Sequence, residues 1–104
     1  MQVKKIRDDN GCLHQGYHIV PAEYHDKFLK AIAELEDNDN HVRHTFPITE
    51  LHKVSGTSKS VYRAYIDKVS GWRLHVQYGD NGYLLLSEVL PPAEHDDASK
   101  VIKT

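Results

Sequence analysis

Cysteine, tryptophan and methionine each occur only once among the 104 residues. A lone thiol, Cys12, cannot close an internal disulfide, so the fold rests on a core and not on cross-links. No apolar run approaches the roughly 20 residues that a membrane-spanning helix requires. Residues 1–7 (MQVKKIR) are basic but lack the apolar centre of a signal peptide, and cytoplasmic residence is expected. An excess of one charge sign is also missing, since 13 Lys and Arg face 15 Asp and Glu for a net charge of −2. That balance argues against a polybasic nucleic-acid binder. No internal repeat or low-complexity tract interrupts the chain. Its length and its 39% of apolar residues suit one domain, residues 1–104, built around a single two-layer core.

Two Asn-Gly pairs supply the positive φ angles of tight turns. Asn81-Gly82 lies between the strand candidates 72–78 and 83–90, and predicts a hairpin. Asn10-Gly11 lies between the weaker candidates 2–6 and 17–20, and predicts a second. Cys12, beside that turn with no base next to it, reads as a structural thiol. Pro21 suits a first helical position, and Tyr24, Phe28, Ile32 and Leu35 then recur at steps of four and three, one apolar stripe of a helix. Residues 36–40 (EDNDN) end it. Residues 47–54 fit either a helical turn or an extended edge, with Leu51 as a core anchor. In 61–67 and 72–78 apolar and polar positions alternate, as in an antiparallel sheet covered on one face. Pro91-Pro92 stops the last strand, and 93–102 fit a short terminal helix. The expected fold is α+β: a twisted antiparallel sheet of about four strands, one main helix on one face and a short C-terminal helix.

Charge is distributed unevenly. Residues 52–79 carry Lys53, Lys59, Arg63, Lys68 and Arg73 against Asp67 alone, a net of about +4, while 22–40 and 80–104 are acidic. The basic block coincides with two strands whose polar faces carry Arg63, Tyr65, Arg73, His75 and Gln77. Cross-strand pairing can bring such residues onto one surface, with the parts needed to hold phosphate and move protons. Solvated strand faces carry the same residue types without any chemical role, so the pattern alone leaves both readings open.

Residues 61–78, VYRAYIDKVSGWRLHVQY, resemble the central hairpin of the RelE/ParE toxin superfamily. There a strand of Tyr-basic-x-basic type leads through a short turn into Gly-aromatic-Arg and an apolar strand. A further strand, here 82–90, and a lead-in comparable to 51–56 extend the likeness over about residues 48–97. The resemblance implies a RelE-like fold and a metal-independent endoribonuclease, in which a 2′-hydroxyl of mRNA attacks the adjacent phosphate. Arg63 would contact phosphate, and Arg73 would stabilise the transition-state charge. Tyr65 stands where many members carry a second basic residue, and His95 would transfer protons. Lys53, Lys59, Lys68, His75 and Gln77 would hold the RNA. The partners so implied are a cognate antitoxin protein and mRNA on the ribosome; neither a membrane nor DNA is expected. This chain departs from the family in having no Arg after the last strand, no Tyr after Tyr83, and one predicted N-terminal helix where members have two. A non-catalytic protein-binding module on the same fold is the alternative.

Eight histidines invite a metal reading, through His14-x-x-x-His18 and His41-x-x-His44. On a strand His14 and His18 would stand about 13 Å apart, too far to share an ion. His41 and His44 have no Cys or carboxylate run beside them, unlike structural zinc patterns. No metal site and no cofactor are expected.

Overall fold

Asn10-Gly11 opens a helix instead of turning a hairpin. In the computed structural model, which describes residues 3–54 and 60–92, the two-residue strand β1 (Ile6–Arg7) is followed by helix α1 (Cys12–Ile19). Gly11 does take the positive φ, 69°, that the pair signals. The chain then enters a helix because of Asp8, whose carboxylate accepts from Cys12 N at 2.6 Å and Leu13 N at 2.9 Å. Satisfying two of the first-turn amides with one carboxylate starts the helix. The buried face of α1 and its exit is Cys12, Gly16 and Val20, at steps of four. Because glycine occupies the middle of that stripe, hydropathy alone does not reveal it. Glycine is nonetheless required, since a Cβ at Gly16 would lie 2.5 Å from Cζ of the buried Phe28 ring. Residues expected to form a strand at 17–20 are therefore mostly helical, and the strand spacing that separated His14 from His18 does not apply.

Pro21 is extended (ψ 145°) and precedes a single 3₁₀ turn, Ala22–Tyr24. Helix α2 then runs over His25–Glu36 and buries Phe28, Ile32 and Leu35 of the expected stripe together with Ala31, while Tyr24 falls in the 3₁₀ turn before it and Leu29 faces solvent. The EDNDN stretch does end this helix, but it also begins another. Asp37 caps α3 (Asn38–Arg43) by accepting from Asp39 N at 3.1 Å. In place of the one main helix that periodicity predicts, the described residues form three α-helices, α1 and α2 following one another in the N-terminal part of the chain.

Four further strands complete one sheet: β2 (His52–Lys53), β3 (Val61–Asp67), β4 (Trp72–Tyr78) and β5 (Leu84–Leu90). Their order is β1-β5-β4-β3-β2. Neighbours are antiparallel except β1, which runs parallel to β5; Lys5, just before β1, accepts the Leu84 amide on its carbonyl at 2.8 Å. The sheet is therefore five-stranded and mixed, not four-stranded and wholly antiparallel. Residues 47–54 turn and then form an extended edge, with Leu51 packed against the core. The Gly79–Gly82 turn closes the predicted hairpin, with Gly79 N donating to Tyr83 O at 2.7 Å and Gly82 at φ 78°.

Leu74, Val76, Leu84 and Leu86 point from the centre of the sheet towards Phe28 and Leu35, and all six are at most 1% exposed. Each such side chain contributes about 1.5–3 kcal/mol of burial free energy. The register slips once in each of two ladders: Ile66 is the extra residue on β3 and Ser87 on β5. Bulges of this kind bend the strand and increase local twist. The sheet ends at Leu90 before Pro91, as a residue without an N–H dictates. The helix expected at 93–102 lies outside the described residues. Among the described residues, no helix is long and apolar enough to cross a membrane.

Candidate functional site

The face of the sheet away from the helices carries the candidate site. In antiparallel pairs, residues directly opposite one another share a face. His52 pairs with Arg63, Arg63 with His75, and His75 with Glu88, which draws one polar row across β2, β3, β4 and β5. The next row pairs Tyr65 with Arg73. Gln77, opposite Val61, stands on the other side of the Arg63–His75 row. Arg63, Tyr65, Arg73, His75 and Gln77 are therefore on one surface, where the alternation of the two strands put them.

Within that surface the side chains are not equally accessible. Arg63 and Tyr65 are half-buried and in contact: Nη1 of Arg63 donates to Oη of Tyr65 at 3.0 Å, with the guanidinium 5.7 Å from the ring centroid. Arg73 and His75 are buried, at 6% and 1% exposure. Arg73 donates from Nη1 to the carbonyl of Gly71 at 2.9 Å, which ties it to the β3–β4 turn. The alternation predicted a solvated polar face, and for these two side chains the structure corrects it. The charge is also less positive than a linear count suggests, because β5 places Glu88 beside His75.

Other residues expected at the site stand elsewhere. Lys53 pairs with Tyr62 and so belongs to the opposite face of the sheet from Arg63. Lys68 follows β3 and is engaged with Glu50 at 2.9 Å, both side chains exposed. Lys59 and His95 lie outside the described residues.

One residue at the site is not signalled by the sequence. His52, exposed on the edge strand, has its ring centroid 6.2 Å from that of Tyr65. Nδ1 of His52 donates to the Glu50 carbonyl at 2.7 Å, which leaves Nε2 as the lone-pair nitrogen of the neutral ring. Glu50 is held in the left-handed region, φ 48°, to present that carbonyl. The only sequence signal is a polar His-Lys pair between the apolar Leu51 and Val54. Two residues are too few to show alternation.

The buried carboxylate of Glu34 positions this edge. It accepts from Ile48 N at 2.8 Å, Thr49 N at 2.8 Å and Thr49 Oγ1 at 2.7 Å, and Thr49 O in turn accepts from Tyr65 N at 2.8 Å. Helix α2 thus fixes the turn that delivers β2 to β3. At the far end of β3, Asp67 accepts from Lys27 Nζ at 2.7 Å and from Ser70 N at 3.0 Å. The Lys27 bond, then the Ser70 bond, hold its carboxyl down from 3.8 to about 2.

A separate cleft of about 360 Å³ opens on the helix side, lined among others by Lys4, His41, Phe46, Tyr62 and Tyr78. Nε2 of His41 donates to the Leu35 carbonyl at 2.7 Å, so Nδ1 accepts the Tyr78 hydroxyl, also at 2.7 Å. Burial lowers the His41 pKa and raises that of Tyr78, and both effects keep the pair neutral. The pair locks α3 to β4 and activates neither group as a nucleophile. Cys12 is likewise inert, because burial, reinforced by Asp8, pushes its thiol up to about 12. No protein-family model, no curated protein and no solved structure matches this chain.

Proposed function

We propose that the chain is a RelE-like toxin-fold protein whose outer sheet face cleaves RNA without a metal. The observation that carries this reading is the cross-strand pairing that sets His52, Arg63 and Tyr65 side by side on an accessible patch. The two N-terminal helices, α1 and α2, also support it, since members of that superfamily carry a pair there.

Each group has a role that its geometry suits. Nε2 of His52 takes the proton of the RNA 2′-hydroxyl, and the freed oxygen attacks the adjacent phosphorus. Arg63 holds the phosphate oxygens as charge builds on them. Tyr65 gives its phenolic proton to the departing 5′-oxygen while Arg63 donates to its oxygen. The P–O5′ bond breaks, leaving a 2′,3′-cyclic phosphate and a free 5′-hydroxyl. Arg73, buried behind Tyr65 in the next strand, acts as a positioning residue that anchors the turn. The cognate antitoxin and the ribosome remain the proposed partners, and the cytoplasm the proposed location.

The burial of Arg73 and His75 favours a second reading, a protein-binding module without catalysis, because two groups of the face are withdrawn from any ligand. Expression in a bacterial host, with cell growth and mRNA integrity followed, separates the two. The nuclease reading predicts arrest and fragmented mRNA for the wild-type chain, and neither for His52→Ala or Arg63→Ala. Normal growth with intact mRNA for the wild type overturns it in favour of the binding module.

A further inference from the structure

We propose that His14 and His18 form a two-nitrogen chelate for a divalent transition-metal ion on the solvent side of α1. Four residues apart on a helix, the two side chains sit one above the other on the same face. Their Nε2 atoms are 3.1 Å apart and the ring planes cross at 74°. With imidazole–metal bonds of about 2.0–2.1 Å, that separation closes to an N–metal–N angle of about 100°. This lies between the octahedral and tetrahedral values, so the separation of the two nitrogens already suits an ion bound to both, with the rings turning to aim their lone pairs at it. Both rings are exposed, and both are directed away from the Cys12, Gly16 and Val20 face.

The donor set defines the ligand class. Two neutral imidazoles suit Cu²⁺, Ni²⁺ and Zn²⁺, not the oxygen-seeking Ca²⁺ or Mg²⁺. Among the described residues, no group of three or more His, Cys, Asp or Glu side chains comes together to hold an ion. Cys12, on the same helix, is fully buried. Among the described residues two positions come from the protein, and water can fill the rest, which makes an open, exchangeable site. The ion would staple one turn of a helix that is only eight residues long and carries a glycine at its middle. Short helices of that kind are marginal by themselves. The site stands apart from the outer sheet face, and this inference does not depend on the proposed nuclease activity.

Calorimetric titration with Ni²⁺ and with Zn²⁺, paired with thermal unfolding, tests it. The wild-type chain is expected to take up one equivalent with a raised unfolding midpoint, and to show no response to Mg²⁺. His14→Ala and His18→Ala each turn a chelate into a single ligand and are expected to weaken binding about a hundredfold. His44→Asn, at an exposed left-handed position that Asn tolerates, is expected to bind as the wild type does. No stoichiometric uptake by the wild type, or undiminished binding in His14→Ala and His18→Ala, overturns the proposal.

Discussion

Removing the Glu34 carboxylate tests how the helical layer positions the sheet edge. Glu34, 7% exposed, accepts three hydrogen bonds of 2.7–2.8 Å from Ile48 and Thr49. In Glu34→Ala all three donors lose their acceptor. The partly buried Ile48 amide can turn to water, while the Thr49 amide and hydroxyl are buried. A stranded buried donor costs about 1–3 kcal/mol, and hydrogen bonds to a charged group are the stronger kind. Relief of the desolvation cost of burying a carboxylate offsets part of this. The expected net loss is about 2–4 kcal/mol, a large share of the 5–15 kcal/mol typical of a domain. Glu34→Gln, which keeps one acceptor oxygen, should lose about half as much. Urea unfolding of the three proteins gives the magnitudes. Hydrogen exchange adds a local readout: the Tyr65 amide, which donates to the Thr49 carbonyl, should exchange faster in Glu34→Ala than in wild type. A Glu34→Ala stability within about 0.5 kcal/mol of wild type, the range of neutral surface changes, would mean that the carboxylate does not hold this edge.

Gly16→Ala should destabilise by about 1–3 kcal/mol in urea, since its Cβ must displace the buried Phe28 ring. An unchanged midpoint would mean that α1 does not pack as described. Acid should weaken the fold in two windows. His41 has its pKa lowered below 6.5 by burial, so the unfolded chain binds a proton there more readily than the native one, and stability should fall as pH drops below about 6.5. In His41→Gln that slope should flatten. Asp67 is depressed from 3.8 to about 2, so its contribution is complete above about pH 4 and is lost as pH falls towards 2. Lys27→Met should move that second loss to higher pH, and an acid limb identical to wild type would contradict the pairing.

The parts of the fold that were legible are those with period and punctuation in one stretch of chain. Helix α2 announced itself through Phe28, Ile32 and Leu35, and the β4–β5 hairpin through alternation on both sides of Asn81-Gly82. Helix α1 was hidden because its inner face uses Gly16 and its cap, Asp8, acts from four residues before Cys12. The parallel pairing of β1 with β5 joins residues almost 80 positions apart through two residues, and so short a segment has no period to read. At the site, alternation correctly placed Arg63, Tyr65, Arg73 and His75 on one face. It could not indicate that Arg73 and His75 are covered, because period 2 tells which face a side chain takes and not what lies over it. His52 needed the β2–β3 register, a tertiary fact absent from local sequence.

In the proposed nuclease His52, Arg63 and Tyr65 act together on an RNA phosphate. Adding the purified protein to a translating cell-free extract and mapping the new mRNA ends tests it directly. Fragments that end in a 2′,3′-cyclic phosphate are expected, with the rate lowered about 10²–10⁴-fold in His52→Ala, the range a lost general base costs, and a comparable fall in Arg63→Ala. Intact mRNA with the wild-type protein, or cleavage undiminished in both variants, would contradict it.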